Sequence, residues 1–429
     1  ICKNAFKLCH ALKQVTIPDS VKTIEDCAFY DCISLTSMTI QSSVTTIGSS
    51  VFAGCTSLTQ IVIPSSVRMI KNDCFHWCYR LVKITMNPYK TIVENNSFDD
   101  CELTNLTFDS SVESIEKYDF NKFPKLTTIV IPSSANTIKA NAFEGCSSLT
   151  SITIPAVKTI ENSAFKNCSS FKQIPLPSTI TSIGTQCFEG CSSLTQMGIP
   201  STVTEIGPYA FSGCSSISQI SIPSSVDTIK DHTFYKCSTL NTVTIPGNVT
   251  KFEASAFELC TQLKQIAFPN NVTEIPSFCC INCQSLTSVS IPNTVTIIRK
   301  RAFAHCVSLE SITLPNELIE LCDGAFYECS SLKQIVIPNT VERIYTDTFT
   351  NCNKLEKITI DPYQTIVEEN SFSKCESLKS LTFGNSVHSI QKYDFHKFPK
   401  VTIIVIPSSV NSIENSAFEG YSTLTSITI

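Results

Sequence analysis

Twenty-three cysteines in 429 residues are the first candidates for chemistry. Sixteen share one repeating position, among them Cys9, Cys32, Cys55, Cys146, Cys214, Cys306 and Cys375. Three repeats carry Phe123, Phe398 and Tyr421 there instead. A disulfide partner or metal ligand tolerates no such exchange; a small buried hydrophobe does. Thiols one strand spacing apart also stand beyond the roughly 3.8 Å Cβ separation of a disulfide. The column therefore reads as buried free thiols. Cys2, Cys27, Cys74, Cys187, Cys279, Cys280 and Cys322 lie outside it. Cys280-Ile281-Asn282-Cys283 has the spacing of a zinc or redox pair. No second pair and no two histidines stand near it in sequence to complete four ligands. No metal site and no cofactor are expected.

The six histidines, His10, His76, His232, His305, His388 and His396, fall at several different phases of the repeat. None is expected beside both a carboxylate and a hydroxyl in one column of adjacent repeats. Serine pairs such as Ser65-Ser66 sit in turns without a base, and 12 glycines form no phosphate-cradling loop. No catalytic residue emerges, so the chain does not read as an enzyme. A net charge of -5 without a Lys/Arg run points away from nucleic acid and anionic membranes. No apolar stretch approaches the roughly 18 residues of a membrane span, so no direct membrane insertion is expected. Five Asn-x-Ser/Thr sequons, at Asn95, Asn105, Asn167, Asn248 and Asn271, are what chance gives in so Ser/Thr-rich a chain.

The elements that carry these residues repeat. A phenylalanine recurs from Phe6, Phe29 and Phe52 to Phe418 every 23 residues, or 22 at Phe98–Phe120 and Phe143–Phe165, with Cys280 replacing one. In the coil that starts at Phe143, Ile152 and Ile154 alternate with Ser151 and Thr153, a period of two that marks a short strand with one buried face. Proline follows the strand in thirteen coils, including Pro18, Pro64, Pro132 and Pro223, where its missing N–H ends the ladder. A second apolar pair follows, as at Val226 and Ile229, and then the phenylalanine. One coil cannot bury its inward residues alone; stacked coils can. The fold expected is a curved solenoid of about nineteen 23-residue coils, with a parallel β-sheet on its concave face. Turns and short extended segments form the return side, with little α-helix. At roughly 4.8 Å per strand it spans roughly 90 Å. It forms one domain, 1–429. Both ends fall inside a repeat, so polar end caps are expected beyond them.

The pattern from Cys191-Ser192-Ser193-Leu194 through Ile199-Pro200, Val203 and Ile206 to Ala210-Phe211 and Cys214 resembles the BspA-like leucine-rich repeat family, surface proteins of bacteria and parasitic protists. The resemblance spans the whole chain. It implies a surface or secreted protein that adheres to host cells and matrix proteins. Ordinary leucine-rich repeats place Asn or Cys three residues past the strand; here that column is Ser, Thr or Asn, as at Ser20, Ser66 and Ser134, which puts a helical return side in doubt.

Solenoids bind along the exposed sheet. Its outward columns include Gln60, Lys83, Thr128, Gln173, Gln196, Gln219, Gln265, Gln334 and Lys357, and two residues on a second column holds Thr or Val in many coils, as at Val62, Thr85, Val130, Val336 and Thr359. This neutral face suits a protein or a glycan better than a polyanion. Residues 87–154 also match 361–429 at 47 of 68 aligned positions. Both copies depart from the repeat alike: Asn87-Pro88-Tyr89 parallels Asp361-Pro362-Tyr363, and Lys117-Tyr118-Asp119-Phe120 parallels Lys392-Tyr393-Asp394-Phe395, each followed by Lys-Phe-Pro-Lys. Tyr89 and Tyr363 are candidate docking anchors, and a recent duplication explains the same likeness. The leading expectation is a cell-surface or secreted adhesion module; the alternative is an intracellular protein-interaction scaffold.

Overall fold

The computed structural model describes residues 1–429 except Asn95, Asn121, Lys122 and Pro124. The Asn95 sequon and two members of the first Lys-Phe-Pro-Lys run thus lie outside the described residues. The chain is a parallel-strand β-solenoid of about 18 turns. It divides into two compact units, Ile1–Leu194 and Thr195–Ile429.

In the first unit, seven parallel front strands run from Gln14–Thr16 through Ser37–Thr39, Gln60–Val62, Lys83–Met86, Asn105–Phe108 and Thr128–Val130 to Ser151–Thr153. The alternation of the sequence sets which face is buried: Ile61 is inside while Gln60 and Val62 point out. The carbonyl of Pro64 then accepts the Val67 N–H at 3.0 Å, closing a turn. Proline suits this place because nothing there asks it to donate. Two-residue back strands follow, such as Met69–Ile70 and Thr137–Ile138, each with its isoleucine buried.

The return side is a run of turns centred on the phenylalanine. In the coil of Phe52 the residues two before and two after it, Ser50 and Gly54, both have positive φ, 52° and 76°. That conformation aims the N–H groups of Ser50, Phe52 and Gly54 at the next coil, onto the carbonyls of Asn72, Cys74 and His76 at 2.9–3.0 Å. Asn, Asp and Gly adopt it readily. Leu259, Phe278 and Arg301 adopt it as well, at φ 62°, 60° and 51°. There the inter-coil hydrogen bonds offset the local strain.

The second unit repeats this plan with interruptions. Gln219–Ser221 pairs with Thr242–Thr244, and Gln265–Ala267 with Ser288–Ser290. A five-stranded sheet runs from Gln334–Val336 through Lys357–Ile360, Ser380–Phe383 and Ile403–Val405 to Ser426–Thr428. The front is therefore a series of sheets, not the single long sheet expected from the repeat. Two breaks have visible causes: Gln173 and Gln196 form single bridges, because Pro175 lacks a donor and Gly198 lacks a side chain at the same strand position. The coil at 311–313 has neither residue and still forms no strand.

Inside, the phenylalanine rings stack coil on coil. Phe29 and Phe52 lie 5.8 Å apart, Phe234 and Phe257 5.4 Å, and Phe326 and Phe349 5.5 Å, all within about 8° of parallel. Cys280 interrupts the stack, and Phe268 reaches Phe303 edge-on at 6.4 Å to fill the gap. In the duplicated blocks the ring comes from the cysteine column instead: Phe98 meets Phe123, and Phe372 meets Phe398, each at 5.2 Å. There Tyr118 and Tyr393 do not take the positive φ of their column. Phe395–Lys397 forms a short 3₁₀ turn capped by Asp394.

All 23 cysteines are free, 18 of them buried. The ladder thiols donate S–H to the phenylalanine carbonyl of the preceding coil, as Cys55 does to Phe29 at 3.3 Å, Cys237 to Phe211 at 3.2 Å and Cys352 to Phe326 at 3.3 Å. Burial raises the thiols of Cys237 and Cys329 to about 12. The Ser/Thr/Asn column past the strand does the same work by hydroxyl and amide: Ser134 donates to Val112 O, Asn248 to Val226 O and Thr340 to Leu318 O, at 2.7–2.8 Å. Ser66 is an exception, a buried hydroxyl without a partner.

Phe234 is fully buried between two stacked rings. Phe234→Ala should lower stability by about 3–5 kcal/mol in chemical denaturation. Native protein should react with a thiol reagent at no more than the five cysteines that are not buried, and at all 23 once denatured. The raised thiol pKa also fixes a sign. Above pH 9 only the unfolded chain loses the proton, so stability is full below pH 9 and falls as pH rises further, by about 1.4 kcal/mol per unit for each such thiol. A melting temperature flat from pH 8 to 11 would contradict this.

Candidate functional site

The front strands place the outward residues in register. Gln60 stands opposite Lys83, Lys83 opposite Asn105, and Asn105 opposite Thr128, so three of the expected residues share the seven-stranded sheet. Gln334 stands opposite Lys357 in the same way. Gln219 and Gln265 lie in separate two-stranded pairs, facing Thr242 and Ser288. Gln173 and Gln196 are exposed, but at the interruptions of the ladder. Thr128 is half-buried and the other residues of this column named here, apart from Asn105, are exposed.

Valines punctuate this polar column. Val62 is 55% exposed and Val336 59%, the most exposed large apolar side chains on the front strands. Each sits in the same five residues, Gln60-Ile61-Val62-Ile63-Pro64 and Gln334-Ile335-Val336-Ile337-Pro338. Val82, just before the Lys83 strand, adds a third exposed apolar group at 40%. The alternation of the strands carries this signal, because an apolar residue on an outward position has no core to fill.

Tyr89 and Tyr363 are placed differently. The Tyr89 hydroxyl donates to the Glu116 carbonyl and accepts the Glu116 N–H, both at 2.9 Å. Tyr363 does the same with Gln391, at 2.9 and 2.8 Å. Each ring is half-buried, edge-on to Tyr118 at 6.2 Å or Tyr393 at 6.1 Å. Burial raises both phenols above their usual range. Each tyrosine therefore braces the next coil, and its hydrogen-bonding capacity is already occupied.

The histidines meet carboxylates more often than their phases imply. His305 Nδ1 lies 2.9 Å from Glu328, in the same column one coil on, and Asn351 Nδ2 donates to both Glu328 and the Tyr327 hydroxyl at 3.2 Å. His305 thus meets a carboxylate in its own column, and the Tyr327 hydroxyl of the cluster belongs to the neighbouring column. The 23-residue spacing of His305 and Glu328 carries that contact. The hydroxyl in the cluster is a phenol bonded to an amide, not an aliphatic hydroxyl bonded to the imidazole. The arrangement is a polar ladder on the surface. Among the described residues, no three His, Cys, Asp or Glu side chains gather as metal ligands, and no helix is long and apolar enough to cross a membrane.

The family model described as the BspA type leucine-rich repeat region matches residues 1–122, 91–217, 158–286, 273–395 and 342–429. No curated protein sequence matches. Among solved structures, a leucine-rich repeat protein from Bacteroides ovatus is 27% identical with a TM-score of 0.59, over 87% of this chain and 92% of its own. A leucine-rich cell surface protein from Faecalibacterium prausnitzii is 23% identical with a TM-score of 0.44, over 80% and 90%. With stacked 23-residue coils and matches from the first residue to the last, the chain belongs to the BspA-type leucine-rich repeat family.

Proposed function

We propose that this chain is a non-enzymatic protein-binding scaffold, a cell-surface or secreted adhesion module. It engages a host or matrix protein through the outward face of its front strands. The observation that supports this is the aligned outward column itself. Gln60, Lys83 and Thr128, and separately Gln334 and Lys357, present side chains in register from a rigid ladder. Exposed Val62 and Val336 beside them supply desolvatable contacts. Gln219 and Gln265, and Gln173 and Gln196 at the breaks, continue the column. Tyr89 and Tyr363 enter the proposal through the coils they brace. The surface location rests on the family, whose members are cell-surface proteins.

Size limits how such a face works. Seven strands of three or four residues cover roughly 30 Å by 10 Å, or about 300 Å², whereas a stable interface takes about 800 Å² per partner. The contact must therefore extend beyond the strands. Thr59 and Val82, exposed just before their strands, lie where it would extend. Affinity would concentrate at a few residues, and the paired Gln–Lys positions with their valines are the assigned ones.

Two measurements test this. An antibody to the chain should label intact source cells; labelling only after permeabilisation would end the surface reading. Replacing Gln60, Val62 and Lys83 together by Glu, with the equivalent change at Gln334, Val336 and Lys357, should weaken capture of matrix or host-surface proteins at least about tenfold while leaving the melting temperature unchanged. Undiminished capture would move the contact off the front strands.

A further inference from the structure

Each unit holds a cavity at the same place in the repeat, beside the coil that departs from the pattern. In the first unit a cavity of about 640 Å³ is lined by Lys117, Tyr118, Asp119 and Glu144. In the second a cavity of about 270 Å³ is lined by Lys392, Tyr393, Asp394 and Glu419. The four columns are the same four, in the same order. The second cavity is smaller because Tyr421 stands where the first unit has Cys146, and its ring packs on Phe395 at 4.8 Å. The aberrant coil itself opens these spaces. Phe123 and Phe398 occupy the thiol column, so the ring stack shifts sideways. Cys146, in the coil after the first of them, is half-exposed rather than buried in the ladder.

The lining has a definite chemical character. Lys117 pairs with Glu144 at 3.6 Å and Lys392 with Glu419 at 3.7 Å. Both are looser than nine other pairs between a lysine or arginine and a carboxylate, which lie at 3.2 Å or less. Both lysines are largely exposed, at 69% and 72%, so each glutamate is held by a cation that leaves readily. A second carboxylate, Asp119 or Asp394, lines each site as well. Contact with His396 holds the Asp394 carboxyl below its usual range, so it is charged at neutral pH. Aromatic residues complete the lining, Tyr118 with Phe120 and Tyr393 with Phe395.

Loosely held carboxylates beside aromatic residues favour a planar cation. A guanidinium can bind a carboxylate through two parallel N–H groups and lie against a ring, which an ammonium does less well. An anion would meet the two carboxylates, and a neutral sugar would leave the charges unused. We propose that each cavity receives an arginine side chain of a partner protein. The guanidinium displaces the lysine from Glu144 or Glu419 and lies against Tyr118 or Tyr393. This rests on the protein-binding reading above and adds a second contact chemistry to it.

The probe is the peptide acetyl-Gly-Arg-Gly-amide, titrated calorimetrically into the intact chain beside its citrulline counterpart, which keeps the shape and loses the charge. The arginine peptide should bind at two sites per chain, and the citrulline peptide at least about tenfold more weakly. Glu144→Gln and Glu419→Gln should each remove one site. Lys117→Met and Lys392→Met should tighten binding by removing the competing cation. Lys333→Met, which frees Glu310 from a surface pair at 2.7 Å, should change nothing. Equal binding of the citrulline peptide, an unchanged titration of the Glu144→Gln/Glu419→Gln double variant, or equal tightening by Lys333→Met would overturn the proposal. The front-strand variants should leave this titration unaltered. Their loss of partner capture alongside a failed titration would sink the cavities and spare the scaffold reading.

Discussion

Each coil depends on the hydrogen bonds it makes with the coil one period away. A 23-residue loop with two short strands cannot satisfy its own backbone. The N–H of Phe29 goes to Val51 O at 3.0 Å, and that of Phe326 to Thr348 O at 2.9 Å. Side chains reach in the other direction, from Cys237 to Phe211 O and from Thr340 to Leu318 O. The partner of each position is thus a nearby position of the next coil, and this forces the sequence to repeat. The rings stack because the backbone has already set their spacing, and each stacked ring removes apolar area from water.

That dependence separates two kinds of surface. The Ser, Thr and Cys columns at the coil edges look available for recognition in the sequence, yet many of their polar atoms bond the neighbouring coil. On the front strands Asn105 shares that duty, donating to Val82 O at 3.5 Å, whereas the exposed side chains of Gln60, Lys83 and Lys357 point outward and can contact something else. The duplicated blocks are a third case. There a phenylalanine enters the thiol column, and a 3₁₀ turn replaces the left-handed pair around Phe395. Packing is rearranged locally, and the space it releases is lined by charge.

The solenoid was legible because burial has a period. Phe6 to Phe418 marks the coils, and the alternation at Ile152 and Ile154 marks the strand. The absence of helical periodicity correctly predicted a return side of turns. The free thiols followed from Phe123, Phe398 and Tyr421 in their column. The left-handed residues were less legible. Gly54, Asn141 and Asp347 signal them, but Leu259 and Phe278 in the same columns do not, because tertiary hydrogen bonds impose that conformation on them. The breaks at Pro175 and Gly198 are written in the sequence as departures from the strand pattern, whereas the break at 311–313 is not. Tyr89 and Tyr363 read as anchors because aromatic residues at turns often are. Only coordinates show their hydroxyls bonded to Glu116 and Gln391. The cavities were hidden for a related reason, since spacing reveals the aberrant coil and not the room beside it.

The phenylalanine turns, as much as the strands, bind coil to coil. Residue-resolved hydrogen exchange of the native chain tests this most directly. The amides of Phe29, Phe52, Phe234 and Phe326, each donating to the next coil, should be protected as strongly as those of the front strands. Phe395, whose amide opens the 3₁₀ turn, should exchange faster. Rapid exchange at the first four, with the front strands still protected, would contradict a fold held together at its turns.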